Sequence, residues 1–359
     1  MRQKYSDYMH WAKTQSRARF NLATSGVGAF PLSELAGLPA LEINGDNSYG
    51  YAPLKAAIAQ RHGVDSECVV TAAGTSGANY LAFATLLDDG GEVLLEHPTY
   101  GLLEDALLSL GAAVKHFPRA RENGYALDPA AVRRAITPNT KLIVVTNLHN
   151  PSSVLTAESV LREIGEIARY VGALVLVDEV YLDAVYESTP RTSFHLGPEF
   201  LVTSSLTKVY GVSGLRCGWI LAQPELARAM WRMNDVMTAT PVHPGELLSI
   251  AVFQNLEKLR DRFRRIVMAD RKVLGAFLDR TPQVSASRTD WGTTCFLHLT
   301  SGDVESFLTR LRDQYETSAV PGRFFGMPEC IRIGMGVNSE MFAEGLRRVE
   351  DALSAKTRY

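Results

Sequence analysis

Cysteine is scarce in this chain: Cys68, Cys217, Cys295 and Cys330 are the four present in 359 residues. They are scattered, with no CxxC pair and no companion histidine cluster. This argues against a disulfide framework or a zinc site and leads us to expect a reducing, cytoplasmic setting. The eight histidines show no ligand spacing, so no metal is expected. Long apolar runs are missing as well: none approaches the length needed to cross a bilayer. The first residues, MRQKYSDYMHWAKTQ, do not contain the uninterrupted apolar core of a signal peptide. Neither sign of charge prevails, with Lys+Arg at 37 and Asp+Glu at 39, a formal charge of -2. No bulk attraction to nucleic acid or to an anionic membrane follows from that balance. No GxxxxGK[ST] segment exists to hold nucleotide phosphates, and Pro31 stands where a dinucleotide fingerprint beginning at Gly26 needs its third glycine.

What is present is the composition of a well-packed globular protein, 46% hydrophobic and 21% charged. The length exceeds what one core usually supports, so two domains are expected. From about residue 50 to 222, apolar runs alternate with helical patterns. CVVTAA, EVLLEH, KLIVVTNL, ALVLVDEV, FLVTSSL and GWILA read as strands. They are apolar on both faces, as strands of a covered, mostly parallel sheet must be. GLLEDALLSLG and TAESVLREIGEIARYVG read as amphipathic helices, and Asp128 with Pro129 supplies a cap and a first-turn proline for PAAVRRAI. Strand–helix alternation of this kind predicts an α/β layered domain. After Gln223 the spacing predicts a long helix over Leu256 to Arg280, leading into a smaller α+β domain.

Ligands of open α/β sheets bind outside the C-terminal strand ends, so the residues that stand there matter most. Gly74-Thr75-Ser76-Gly77 opens a helix after the first strand, where exposed amides and the helix dipole favour an anion. Later strand ends deliver Tyr100, Asn150, Asp178 with Tyr181, and Ser205 with Lys208, followed by Arg216. A lysine beside a second cation becomes a nucleophilic amine, because burial and like charge both lower its pKa. Arg332 interrupts the apolar strand of ECIRIGM, where an unpaired arginine is costly without a purpose. Each of these residues alone has an ordinary structural explanation; their occurrence together, in order, does not.

The motifs AAGTSGA, HPTYG, HNPSS, VDEVY, SSLTKVYGVSGLRCGW and IRIGMG, spread from about residue 70 to the C-terminus, resemble those of the class I/II aminotransferases of the pyridoxal 5′-phosphate (PLP) fold-type I superfamily. The resemblance implies a large PLP-binding domain over 31–258 and a discontinuous small domain from 1–30 and 259–359. It implies that Lys208 holds PLP as an internal aldimine and then moves the substrate α-proton. Asp178 would pair with the pyridine nitrogen, and Asn150 and Tyr181 would bond the ring's 3-oxygen. Tyr100 would stack on the ring. Gly74, Thr75, Ser76, Ser205 and Arg216 would hold the phosphate. Arg332 would clamp the substrate carboxylate, with Asn150 and the backbone of Gly26 beside it. Tyr49 in NSYGYAP resembles the tyrosine that reaches the neighbouring subunit's cofactor, which implies a homodimer with shared sites. The reaction implied is transfer of an amino group between an L-amino acid and a 2-oxo acid. The same scaffold also serves carbon–sulfur β-lyases, decarboxylases and ring-forming or other specialised biosynthetic enzymes. Trp11, Arg19 and Arg191 are further candidates for the substrate pocket. Two departures from the family pattern stand out: Gly28 replaces an expected proline, and Ser153 replaces the glycine of HNPTG.

Overall fold

Seven strands form the central sheet of the computed structural model, which describes residues 4–46 and 48–355. The outermost residues of the expected small domain, 1–3 and 356–359, and Asn47 of NSYGYAP lie outside the described residues. In chain order the strands are β1 (Val69–Ala73), β2 (Glu92–His97), β3 (Ala113–Pro118), β4 (Thr140–Thr146), β5 (Leu174–Asp178), β6 (Phe200–Ser205) and β7 (Cys217–Leu221). Their spatial order is β1-β7-β6-β5-β4-β2-β3, with β7 antiparallel to both neighbours and every other pair parallel.

The interior strands alternate their side chains between two apolar layers. Ile143, Val145, Val175, Val177 and Val202 meet Leu161, Ile164 and Ile167 of the helix Glu158–Val171 on one face. Leu142, Val144, Leu176 and Leu201 meet Leu81 and Phe83 of the helix Gly74–Leu86 on the other. Both faces are covered, so these strands carry no polar stripe. β3 is absent from the strands expected from sequence for the complementary reason. It is an edge strand, and Ala113, Lys115, His116 and Pro118 are all exposed, so AVKHFP has no apolar run to betray it.

The predicted helix over Leu256–Arg280 is present across that same span, 25 residues or about 37 Å. Its first half places Leu259, Phe263 and Val267 in the core beneath the large sheet. Its second half places Leu274 and Phe277 in a separate core with Phe307, Ile333 and Leu346. That second core is built on a four-stranded antiparallel sheet whose centre is Thr294–Leu299 paired with Cys330–Gly334. The N-terminal segment joins it: Phe20–Asn21 pairs with Thr317–Ser318, and Gly334 N–H donates to the carbonyl of Leu22 at 2.7 Å. The substitution of glycine for proline at position 28 has its reason here. Gly28 N–H donates to the carbonyl of Gly336 at 3.0 Å, a bond proline cannot make, and a Cβ at 28 would stand 2.8 Å from the carbonyl oxygen of Val337.

Strand register aligns the chemistry. Thr146 lies opposite Asp178, Asp178 opposite Thr203, and Ser205 opposite Gly218. The polar ends of three adjacent strands, β4, β5 and β6, therefore lie side by side at the same edge of the sheet.

Candidate active site

One cavity of about 200 Å³ at that edge gathers Thr75, Ser76, Tyr100, Asn150, Asp178, Tyr181, Lys208 and Arg216, and reaches Ser25 and Met9. The loops that carry Tyr100 and Asn150 are tied together by His149, whose Nε2 lies 2.9 Å from the carbonyl oxygen of Pro98 while Nδ1 lies 2.6 Å from Ser152 Oγ.

Lys208 is part-buried and its Nζ donates to Ser25 Oγ at 2.7 Å. Burial, followed by the positive field of Arg332, brings its pKa down to about 8, against the opposing pull of Asp178. The main chain of Lys208 organises the segment that covers it. Val27 N–H donates to the carbonyl of Lys208 at 2.9 Å, and a Cβ on Gly26 would stand 2.9 Å from that same oxygen. Gly26 therefore sits where only a bare backbone fits against the lysine.

Asp178 is buried at the end of β5, and its carboxyl is pushed up to about 6 by that burial, against bonds from Asn79 and the Val180 amide. Because the folded state holds this proton more tightly than the unfolded chain, Asp178 subtracts stability as pH rises from about 4 to about 6. Asn79 lines the same cavity, and sequence reasoning missed it. Its Nδ2 donates to Asp178 Oδ2 at 2.8 Å, and its Oδ1 accepts from Thr203 Oγ1 at 2.6 Å. The available signal was an amide within GANYLAFATL, a mostly apolar helical stretch.

The expected anion cradle falls at the N-terminus of the helix Gly74–Leu86. Gly74 has φ +72°, and its N–H donates to the carbonyl of Arg216 at 2.7 Å. Arg216 adopts a left-handed backbone, φ 51°, which turns its guanidinium back onto this helix end. Its Nη2 donates to the carbonyl of Ala73 at 3.1 Å. A Cβ on Gly74 would be 2.3 Å from Nη2, and a Cβ on Gly218 would be 2.4 Å from the carbonyl carbon of Gly74. Glycine at both positions is what allows strand, helix end and arginine to meet. Ser205 lies behind the cradle, its Oγ accepting from Thr75 Oγ1 at 2.8 Å.

Tyr181 is buried and donates through Oη to the carbonyl of Ser25 at 2.8 Å. Arg332 is wholly buried next to the cavity. Its Nη1 donates to Asn150 Oδ1 at 3.2 Å and its Nη2 to Tyr8 Oη at 3.1 Å, while Nε has no partner among the described residues. Among the described residues no carboxylate pairs with it. Arg119, the other wholly buried arginine among the described residues, is salt-bridged to Glu96 at 2.8 Å.

Some predicted residues stand elsewhere. Tyr49 is exposed outside this cavity, its Oη accepting from Arg232 Nη1 at 2.7 Å and lying 3.3 Å from Asp235 Oδ2. Arg19 pairs at the surface with Glu316, and Arg191 lines a separate cavity with Arg61 and Glu179. Trp11 packs against Phe324 behind Tyr8. Ser153 keeps the conformation a glycine would take, φ 63°, and its Oγ donates to the carbonyl of Thr294 at 2.8 Å across to the small sheet. Ser153→Ala keeps the backbone strain and loses that bond, so it should destabilise by about 1 to 2 kcal/mol. Ser153→Gly relieves the strain as well and should stay within about 1 kcal/mol of the parent in denaturant melts.

The family model described as aminotransferase class I and II matches residues 39–349. A capreomycidine synthase of Streptomyces vinaceus is 28% identical over 356 residues, spanning 95% of this chain and 92% of that protein. An aspartate aminotransferase of Bacillus subtilis is 23% identical, spanning 84% and 82% respectively. The crystal structure of a PLP-dependent aminotransferase from Streptococcus suis superposes with a TM-score of 0.91 at 26% identity, covering 98% of each chain.

Proposed function

The chain belongs to the class I and II aminotransferases, a family dependent on PLP, and on that premise we propose that it moves an amino group between an L-amino acid and a 2-oxo acid with the cofactor held on Lys208. The observation that carries this reading is one cavity that gathers the part-buried amine of Lys208, the buried carboxyl of Asp178 and a glycine-lined helix end with Arg216. The donor set fits the cofactor. A phosphate matches the glycine-lined cradle of helix amides and Arg216, and a protonated pyridine nitrogen matches the buried carboxyl of Asp178, whose hydrogen-bond partners among the described residues are neutral.

Bound there, PLP supplies an aldehyde carbon for the amine and a ring that draws electrons from the substrate α-carbon. The protein's own groups do the rest in this proposal. Gly74, Thr75, Ser76, Ser205 and Arg216 hold the phosphate, and Tyr100 covers the ring face. Asn79 orients Asp178, whose negative charge keeps the pyridine nitrogen protonated. Asn150 and Tyr181 serve the 3-oxygen. Lys208, freed by substrate, carries the α-proton, and Ser25 Oγ holds its Nζ in place. Arg332 and Asn150 fix the substrate carboxylate beside the bare backbone of Gly26, which restricts the reach of Lys208 to one face. The reading includes the division into 31–258 and 1–30 with 259–359, a cytoplasmic location, and a homodimer in which Tyr49 serves the second copy's site. No helix among the described residues is long and apolar enough to cross a membrane.

Purified protein mixed with a panel of L-amino acids should lose the absorption band of the lysine-held cofactor and release the matching 2-oxo acids. No 2-oxo acid from any donor would remove transamination. A specialised biosynthetic reaction is the second reading, favoured by the near full-length match to the S. vinaceus synthase. It would show as consumption of an amino acid with no need for a 2-oxo acceptor; pyruvate and ammonia formed that way would instead mark a β-lyase. The amine's pKa offers a separate check. Uptake of PLP by cofactor-free protein should speed up about tenfold per pH unit below about 8 and level off above it. A lysine with its usual value would keep accelerating past pH 9 or so.

A further inference from the structure

The N-terminal helix Asp7–Thr14 belongs to no strand-end motif, yet it places Met9 in the cavity lining and Tyr8 against Arg332. Ser6 caps it, its Oγ accepting from Met9 N–H at 3.3 Å. Met9 lines the cavity, and Tyr100 Oη lies 3.8 Å from its Sδ. Tyr8 is buried, 7% exposed, in a nest of rings: Tyr100 edge-on at 5.4 Å, Phe324 at 5.4 Å and Phe325 at 6.0 Å between centroids. Out of that nest its hydroxyl oxygen accepts from Arg332 Nη2 at 3.1 Å.

Tyr8 and Asn150 thus flank the guanidinium in the same way. Each accepts one Nη–H with an oxygen, and each keeps a donor of its own, the phenolic O–H and the amide N–H₂. An oxygen already accepting from a cation is a stronger donor through its own hydrogen, because the two bonds polarise each other. A carboxylate brought to Arg332 would find three convergent donors there.

We propose that Tyr8 is a substrate-binding residue, the second neutral arm of the carboxylate clamp, donating its phenolic hydrogen to the α-carboxylate of both the amino acid and the 2-oxo acid. This rests on the proposed amino-transfer reading, since it takes both ligands to present that carboxylate beside Arg332. It makes the N-terminal helix part of the substrate site and not merely a cover. A hydrogen bond to a charged partner that is made equally with bound substrate and during reaction changes KM and leaves kcat.

Tyr8→Phe removes one oxygen and leaves the ring packing in place. In holoenzyme, KM for the donor and for the 2-oxo acid should both rise about tenfold or more, with kcat within about twofold. The dissociation constant of propanoate, read by its competition against the donor, should weaken by the same factor. The cofactor's absorption band should be unchanged. Ser6→Ala, which loosens the helix without touching the clamp, should give a smaller rise of the same kind. A Tyr8→Phe enzyme with parental KM and propanoate affinity would overturn the assignment, and so would a fall in kcat with KM unmoved. Parent protein that converts amino acids while Tyr8→Phe matches it refutes only the role of Tyr8. Parent protein whose cofactor band ignores every amino acid refutes the amino-transfer reading and this inference with it.

Discussion

Lys208→Ala should keep the fold and lose turnover by about 10⁴-fold or more, since one side chain supplies both the covalent attachment and the proton carrier. The structural contribution of this residue lies in its backbone. Its carbonyl accepts from Val27 N–H at 2.9 Å and sets how closely Gly26 approaches, and alanine retains that carbonyl. The side chain itself makes one hydrogen bond among the described residues, to Ser25 Oγ, and burial acts against its charge. Its removal therefore relieves a desolvation penalty as well as losing a contact, and the melting temperature should move by only a few degrees. The visible band of the lysine-held cofactor should vanish, while desalted protein should still carry PLP bound through the glycine cradle and Asp178. Residual kcat within about tenfold of the parent would refute the assignment of Lys208. A collapse in melting temperature would mean that the lysine is structural.

The strand-end constellation could be read from the chain because each motif is local. A strand ends, a polar cluster follows, and parallel register then lines the clusters up without further instruction, Thr146 beside Asp178 beside Thr203. The parts that could not be read depend on long-range closure. Arg332 reaches Asn150 across 182 positions and Tyr8 across 324; the resemblance implied the first as a neighbour, while no periodicity within a window can encode the second. Tyr8 lies in MRQKYSDYMHWAKTQ, a stretch with no motif to single it out. Asn79 was hidden by its helix, and β3 by its exposed edge. Ser153 showed as a departure but not as a resolved one, because the bond that stabilises its backbone goes to Thr294, on a strand 141 positions away.

Arg332→Leu and Arg119→Leu should part in opposite directions, although both remove a wholly buried guanidinium. Arg119 has its counter-ion. Its Nη1 bonds Glu96 Oε2 at 2.8 Å, its Nε bonds the carbonyl of Tyr125 at 2.7 Å, and Glu96 in turn accepts from the Thr146 amide at 2.7 Å. Leucine at 119 strands a buried carboxylate, which should lower stability by about 3 to 5 kcal/mol in denaturant melts. Arg332 has no such partner; it is held by an amide, a phenol and the face of Phe325, with its Nε unsatisfied. Leucine there removes an uncompensated charge, so the cofactor-free protein should melt at the same temperature or higher. The loss should fall on catalysis: kcat/KM for the amino donor should drop by about 10² to 10⁴, the effect of deleting one side of a buried, hydrogen-bonded ion pair that forms only with substrate. Arg332 is also the largest charge lowering the pKa of Lys208. Arg332→Leu should therefore move the pH midpoint of PLP uptake upward from about 8, toward the ordinary lysine range. If Arg332→Leu melted as early as Arg119→Leu and its pH midpoint stayed put, Arg332 would be a packing residue and the cavity would lack its carboxylate clamp.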